Sequence, residues 1–113
     1  MTTLQSYIAG RWIGREAAQS LRSAVNGQAI ASTHAEAIDF AEALAHARRV
    51  GIPALMALDF QQRAERLKAL AKYIAANKET LYAVSAHTGA TRADGWVDIE
   101  GGAGTLAAYA GIG

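Results

Sequence analysis

Few side chains in this sequence have the type and spacing that catalysis requires. The chain contains no cysteine, so it offers neither a thiolate nucleophile nor a thiolate metal site. The three histidines, His34, His46 and His87, are too far apart in sequence to form a metal-ligand pair with H-x₃₋₅-H spacing. We expect them to be ordinary residues of helices and loops. Ser85 lies two positions before His87 on a predicted helix, so the two side chains point apart and cannot act as a nucleophile pair.

Two carboxylates, Asp98 and Glu100, lie two positions apart near the end of the chain. On a strand they would share one face and could work as an acid–base pair, whereas on a helix they would diverge. The sequence does not decide between strand and helix here, and we expect both residues to be surface or capping carboxylates. The basic residues between Arg63 and Lys78 are interleaved with glutamates, which favours a solvated helix face over a phosphate-binding stripe.

One glycine pattern has the spacing of a nucleotide-binding motif. Residues 102–107, Gly-Ala-Gly-Thr-Leu-Ala, fit G-x-G-x-x-G/A. That motif also needs a preceding strand and an acidic residue about 20 positions further on, and the sequence ends at Gly113 without one. We therefore predict that Gly101, Gly102 and Gly104 allow close packing of a helix and do not bind phosphate.

Composition excludes several classes of partner. The formal net charge is +1, without the clustered basic excess of a nucleic-acid or membrane-surface protein. Hydrophobic residues make up 51% of the chain, which is compatible with one small domain. The first residues lack the features of a signal peptide, and the longest apolar run is too short to span a membrane. We expect a soluble, cytoplasmic protein that binds neither nucleic acid nor membrane.

The first third of the chain has the residue types of β-structure. Residues 7–13, Tyr-Ile-Ala-Gly-Arg-Trp-Ile, predict one strand with a glycine kink. Residues 21–31 contain Asn26-Gly27, which accepts the positive φ angles of a type I′ turn and predicts a hairpin. We expect a β-hairpin region over residues 1–34 and helices over residues 35–113.

Helical periodicity replaces this pattern from Ala35 onwards. It predicts four helices, at about 35–50, 59–76, 77–88 and 94–110. Gly51 and Pro53 predict the end of the first helix. Asp59, with Gln62 three residues later, predicts a capping box at the start of the second.

The stretch from Thr88 to Gly102 is the most ambiguous by physical criteria. Asn77 can cap the start of the helix before this stretch, and Gly89 suits the C-cap at its end. Either Thr91 or Asp94 could cap the start of the helix that follows. Four glycines at 95, 101, 102 and 104 disfavour a helix by about 1 kcal/mol each. A helix that keeps them usually has another group packed closely against it.

Several of these segments share features with one family. They are a strand ending in G-x-W at residues 10–12, a strand pair around Asn26-Gly27, the helical residue pattern of residues 63–81, and a helix ending in Tyr-Ala-Gly at residues 109–111. In this order they resemble the N-terminal part of the aldehyde dehydrogenase superfamily. Residues 88–102 point to a narrower group within the superfamily. They resemble the branch that oxidises CoA-linked semialdehydes in aerobic aromatic degradation. Two departures are a shortened turn at Asn26-Gly27 and a missing tryptophan in the first long helix.

The resemblance implies an α/β fold, of which this chain supplies a mostly α-helical piece with an N-terminal β-hairpin. It also implies NAD or NADP as cofactor of the complete enzyme. The family's nucleophilic cysteine, general-base glutamate, oxyanion-hole asparagine and cofactor-binding lysine have no counterpart here, so we predict no catalytic and no cofactor-binding residue. One family site carries over: Asp98 as ligand of a structural monovalent cation, with a backbone oxygen near Ser23 or Ala24. Arg92 is the alternative partner for Asp98.

Two functions remain open. The first is the N-terminal part of an NAD(P)-dependent semialdehyde dehydrogenase, inactive alone, whose partners are the remainder of the chain and further copies in a homo-oligomer. The second is a free-standing helical interaction module. The absence of charge after Glu100 favours the first, because an uncovered apolar end needs a partner. A reading frame that continues into a cysteine-bearing region would exclude the second.

Overall fold

The computed structural model describes residues 2–16, 19–33 and 38–112, and the chain divides into two compact units, Met1–Leu55 and Met56–Gly113. The described strands are β1 (Thr2–Leu4), β2 (Ser6–Ile8), β3 (Arg11–Ile13), β4 (Gln19–Arg22) and β5 (Ala29–Thr33). The described helices are α1 (Phe40–His46), a π-helical segment (Ala47–Gly51), α2 (Ile52–Met56), α3 (Phe60–Ala76), α4 (Lys78–Ala86) and α5 (Arg92–Ile112). None of the helices in these ranges has the length and apolar character needed to cross a bilayer.

The described residues of the first unit form two small sheets. In one, β5 lies between β1, to which it is parallel, and β4, to which it is antiparallel. Ala31 and Ser32 of β5 are buried there, and the Ser32 hydroxyl donates to Thr3 Oγ1 at 3.3 Å. The bond satisfies a hydroxyl that would otherwise be buried without a partner. The other sheet is the antiparallel pair β2–β3.

The segment predicted as one kinked strand is a hairpin, so that prediction is wrong. Strands β2 and β3 are joined by Ala9 and Gly10, with φ angles of +51° and +79°. Two consecutive residues with positive φ are the requirement of a type I′ turn, which matches the right-handed twist of the flanking strands. The turn places the Tyr7 and Trp12 rings opposite each other, with centroids 5.0 Å apart.

The predicted hairpin at residues 21–31 is confirmed, but its type I′ turn is not. Gly27 has a φ of +72°, while Asn26 is not among the described residues with positive φ. The loop is longer than the two residues of a type I′ hairpin. Ser23 N donates to Gln28 O at 2.9 Å, and Gly27 N donates to Ser23 O at 2.9 Å. Asn26 Oδ1 accepts from Gln28 N at 3.0 Å. An asparagine that bonds to the backbone two residues on stabilises such a loop without adopting a positive φ itself.

The first long helix runs past its predicted end. Helix α1, the π-helical segment and α2 follow one another without a break, so Gly51 and Pro53 do not stop the helix at residue 50. In an α-helix the proline ring would press on the carbonyl four residues earlier. The wider turn, closed by a bond from Ile52 N to Ala47 O, relieves that contact. Asp39 caps α1, accepting from Glu42 N at 3.0 Å, and the predicted start at residues 35–37 lies outside the described ranges.

The second unit begins with the predicted capping box. Asp59 Oδ1 accepts from Gln62 N at 2.7 Å, and Gln62 Oε1 accepts from Asp59 N at 2.9 Å. The helix predicted at 59–76 is therefore confirmed. Asn77 separates α3 from α4 as predicted, but its side chain does not cap α4. It donates instead to Tyr73 O at 2.8 Å, within the last turn of α3.

The ambiguous stretch from Thr88 to Gly102 is helical from Arg92 onwards. Gly89, with a φ of +89°, follows the end of α4, and Thr91 Oγ1 accepts from Asp94 N at 3.2 Å. Thr91 is therefore the cap, and α5 begins two residues before the predicted 94. Helix α5 packs along α3 and α4, and small residues of α3 and α5 are buried: Ala64, Ala71, Ala103 and Ala110.

The close approach predicted for the glycines of α5 occurs at Gly95. A Cβ added there would lie 3.2 Å from Ser85 Oγ and 3.4 Å from the Tyr82 ring. At Gly102 and Gly104 an added Cβ would meet nothing within 4 Å, so the prediction of close packing is wrong for these two in the chain described.

Candidate functional site

A connected group of charged and hydrogen-bonding side chains lies between α4 and α5. We call it the Tyr82 cluster, and it consists of five residues: Lys78, Glu79, Tyr82, Arg92 and Glu100. On α4, Lys78 and Tyr82 lie four residues apart and so face the same side. Glu100 reaches them from α5, and Arg92 reaches Glu79 from the first turn of the same helix.

Tyr82 and Glu100 form the centre of the cluster. The Tyr82 side chain is buried, with 7% of its surface exposed, and its hydroxyl donates to Glu100 Oε2 at 2.6 Å. Lys78 Nζ donates to the other carboxylate oxygen at 3.2 Å. The hydrogen bond from Tyr82, followed by that from Lys78, lowers the pKa of Glu100. The same bond to Glu100, together with burial, raises the pKa of Tyr82.

Arg92 and Glu79 form the outer part of the cluster. The guanidinium donates to both Glu79 oxygens, at 2.8 and 3.0 Å, which is the bidentate geometry that suits arginine. It also lies over the Tyr82 ring, 4.1 Å from the centroid. The hydrogen bond from Arg92 lowers the pKa of Glu79, and the bond to Glu79 raises the pKa of Arg92.

This arrangement is suited to joining two helices. The Glu100 and Glu79 carboxylates each accept hydrogen bonds, so neither is an unengaged general base. A Tyr82 phenol with a raised pKa stays protonated at neutral pH. The depression beside it has a volume of about 330 Å³ and is lined by Glu79, Tyr82, Ala83, Ser85, Ala86, Ala90, Thr91 and Arg92. Its one cationic side chain is already paired with a carboxylate, which does not favour an anionic ligand.

The paired-carboxylate alternative at residues 98 and 100 is settled by the helix. Glu100 is directed towards α4, whereas Asp98 lies on an exposed part of α5. Two residues that are two apart on a helix diverge, so they do not form an acid–base pair. Arg92 pairs with Glu79 and not with Asp98. The proposed role of Asp98 as ligand of a monovalent cation stays a prediction.

Two of the three histidines fall within the described ranges. His46 ends α1, and His87 follows α4, while His34 falls outside those ranges. No group of three or more His, Cys, Asp or Glu side chains positioned to hold a metal ion occurs in residues 2–16, 19–33 and 38–112.

The G-x-G-x-x-A pattern does not have the geometry of a nucleotide site. Residues 102–107 lie in the middle of α5, with ten helical residues before them. A phosphate-binding loop needs free backbone N–H groups at the start of a helix, whereas N–H groups inside a helix already bond to carbonyls four residues earlier. Residues 102–107 therefore form part of a helix and not a loop, and the absence of a cofactor-binding residue from this chain stays a prediction.

The Tyr82 cluster is not among the sites predicted from the sequence. Lys78 and Tyr82 have the i, i+4 spacing of neighbours on a helix, and that spacing was the one local signal available. Their bonds to Glu100 span 22 and 18 residues, and the Arg92–Glu79 pair spans 13. Such pairs become apparent once α4 and α5 are placed side by side.

Comparison with known proteins identifies the family to which the chain belongs. The model of the aldehyde dehydrogenase family matches residues 12–113, which is most of the chain. The protein therefore belongs to the aldehyde dehydrogenase family, and corresponds to its N-terminal portion. One curated relative is the 3,4-dehydroadipyl-CoA semialdehyde dehydrogenase of Aromatoleum evansii, with 35% identity over 109 residues. The alignment covers 95% of this chain and 21% of the relative, so the chain spans about a fifth of that relative's length.

Proposed function

We propose that this chain is the N-terminal part of an NAD(P)-dependent dehydrogenase that oxidises a CoA-linked semialdehyde to the acid in the breakdown of aromatic compounds. The observation that carries the proposal is the 35% identity to a CoA-semialdehyde dehydrogenase, maintained over 95% of the chain. The family match over residues 12–113 supports the oxidoreductase class independently of that relative.

Within such an enzyme the contribution of this chain is structural. Helices α3, α4 and α5 form a packed unit, and the Tyr82 cluster holds α4 against the first half of α5. Covalent aldehyde oxidation needs a nucleophile such as a cysteine thiolate, a base and a bound nicotinamide. The sequence has no cysteine, and its glycine motif lies inside a helix. The residues present do not fit the cofactor, and the chemistry belongs to the remainder of the complete enzyme.

This role implies partners of a particular kind. The remainder of the dehydrogenase chain is the first, and other copies of the complete protein, in a cytoplasmic homo-oligomer, are the second. Several large apolar side chains of the second unit are mostly exposed, including Phe60, Tyr73, Val97, Tyr109 and Ile112. Exposed apolar surface of this extent is typical of protein that becomes covered by a partner.

The proposal is tested by comparing the 113-residue polypeptide with the product of the complete reading frame. Both are assayed for NADH formation by absorbance at about 340 nm with a CoA-linked semialdehyde, and both are titrated calorimetrically with NAD and NADP. We expect turnover from the complete product and none above the blank from the 113-residue chain. Saturable micromolar binding of NAD or turnover by the short chain would overturn the structural role. A complete product that oxidises no CoA-linked semialdehyde would overturn the substrate class.

A further inference from the structure

We draw no further inference here: the strongest candidate, the uncharged outward face of α5 formed by Gly104, Ala108 and Gly111 beside the exposed Tyr109 and Ile112, is an unpartnered stripe of small and apolar residues, and nothing in the structure shows what covers it.

Discussion

Alanine substitutions along α5 separate helix propensity from packing. An alanine in a helix interior is favoured over glycine by about 0.5–1 kcal/mol, because glycine loses more backbone freedom on folding. At Gly104 an added Cβ meets nothing within 4 Å, so the full gain should appear. We expect Gly104→Ala to raise the free energy of unfolding by about 1 kcal/mol, and Gly102→Ala to do the same.

Gly95 provides the matched control on the same helix. There the new methyl group would lie 3.2 Å from Ser85 Oγ and 3.4 Å from the Tyr82 ring, so the neighbours must move to admit it. Overpacking of this kind typically costs about 1–3 kcal/mol, which cancels or exceeds the propensity gain. We expect Gly95→Ala to leave stability unchanged or to lower it. In a Ser85→Ala background the nearest atom is gone, and Gly95→Ala should then be better tolerated.

The measurement is urea denaturation of each variant, followed by far-ultraviolet circular dichroism, with thermal unfolding as a second probe. A gain of 1 kcal/mol should raise the Tm by about 4–8 °C in a chain of this size class. If Gly104→Ala destabilised the chain, the open space beside that glycine would be wrong. If Gly95→Ala stabilised it as much as Gly104→Ala does, the close contact of α5 with α4 would be refuted.

Three further substitutions, the last with a control variant, test other parts of the structure. Ala9→Asn should stabilise the chain by about 0.5–1 kcal/mol in thermal unfolding, because asparagine accepts positive φ more readily than alanine, which adopts +51° here; a loss of stability would refute the type I′ turn. Asp59→Ala should cost about 1 kcal/mol in urea denaturation by removing the capping box, and a neutral result would argue against that cap. Because the folded chain lowers the pKa of Glu100, the stability that this carboxylate contributes is present above its unfolded pKa and lost as the pH falls through the lower, folded pKa. Glu100→Gln should weaken this acid dependence and lower the pKa of Tyr82 in an absorbance titration at about 295 nm. The control Asp98→Asn, on the exposed part of the same helix, should leave the Tyr82 titration unchanged. Equal effects of the two substitutions would contradict the Tyr82–Glu100 bond.

Local chemistry made much of the second unit predictable. The Asp59–Gln62 capping box and the end of α4 before Gly89 depend on residues within a few positions of each other, and both are confirmed. The first unit was predicted less well, because the preference of a dipeptide for a turn type did not decide which turn formed. Asn26-Gly27 is the stronger type I′ dipeptide, yet the weaker pair Ala9-Gly10 forms that turn.

The remaining differences come from interactions that a local pattern does not contain. Pro53 stops an α-helix, but a π-helical turn just before it lets the helix continue. Glycine at five positions lowers the propensity of α5, but packing against α3 and α4 overrides it. The bonds of Glu100 depend on which helices become neighbours, and that choice is made by the fold as a whole.

The continuation of the reading frame beyond Gly113 tests the central claim most directly. The chain matches the aldehyde dehydrogenase family over residues 12–113 but spans about a fifth of the length of the Aromatoleum evansii enzyme. Sequencing the gene downstream, together with the mass of the protein detected in cells by an antibody against this segment, determines whether the remainder exists. We predict a continuous frame that supplies a cysteine nucleophile, and a cellular product several times larger than 11.9 kDa. A stop codon directly after Gly113 and a cellular product of the same mass as this chain would contradict the proposal, and would favour a free-standing helical module.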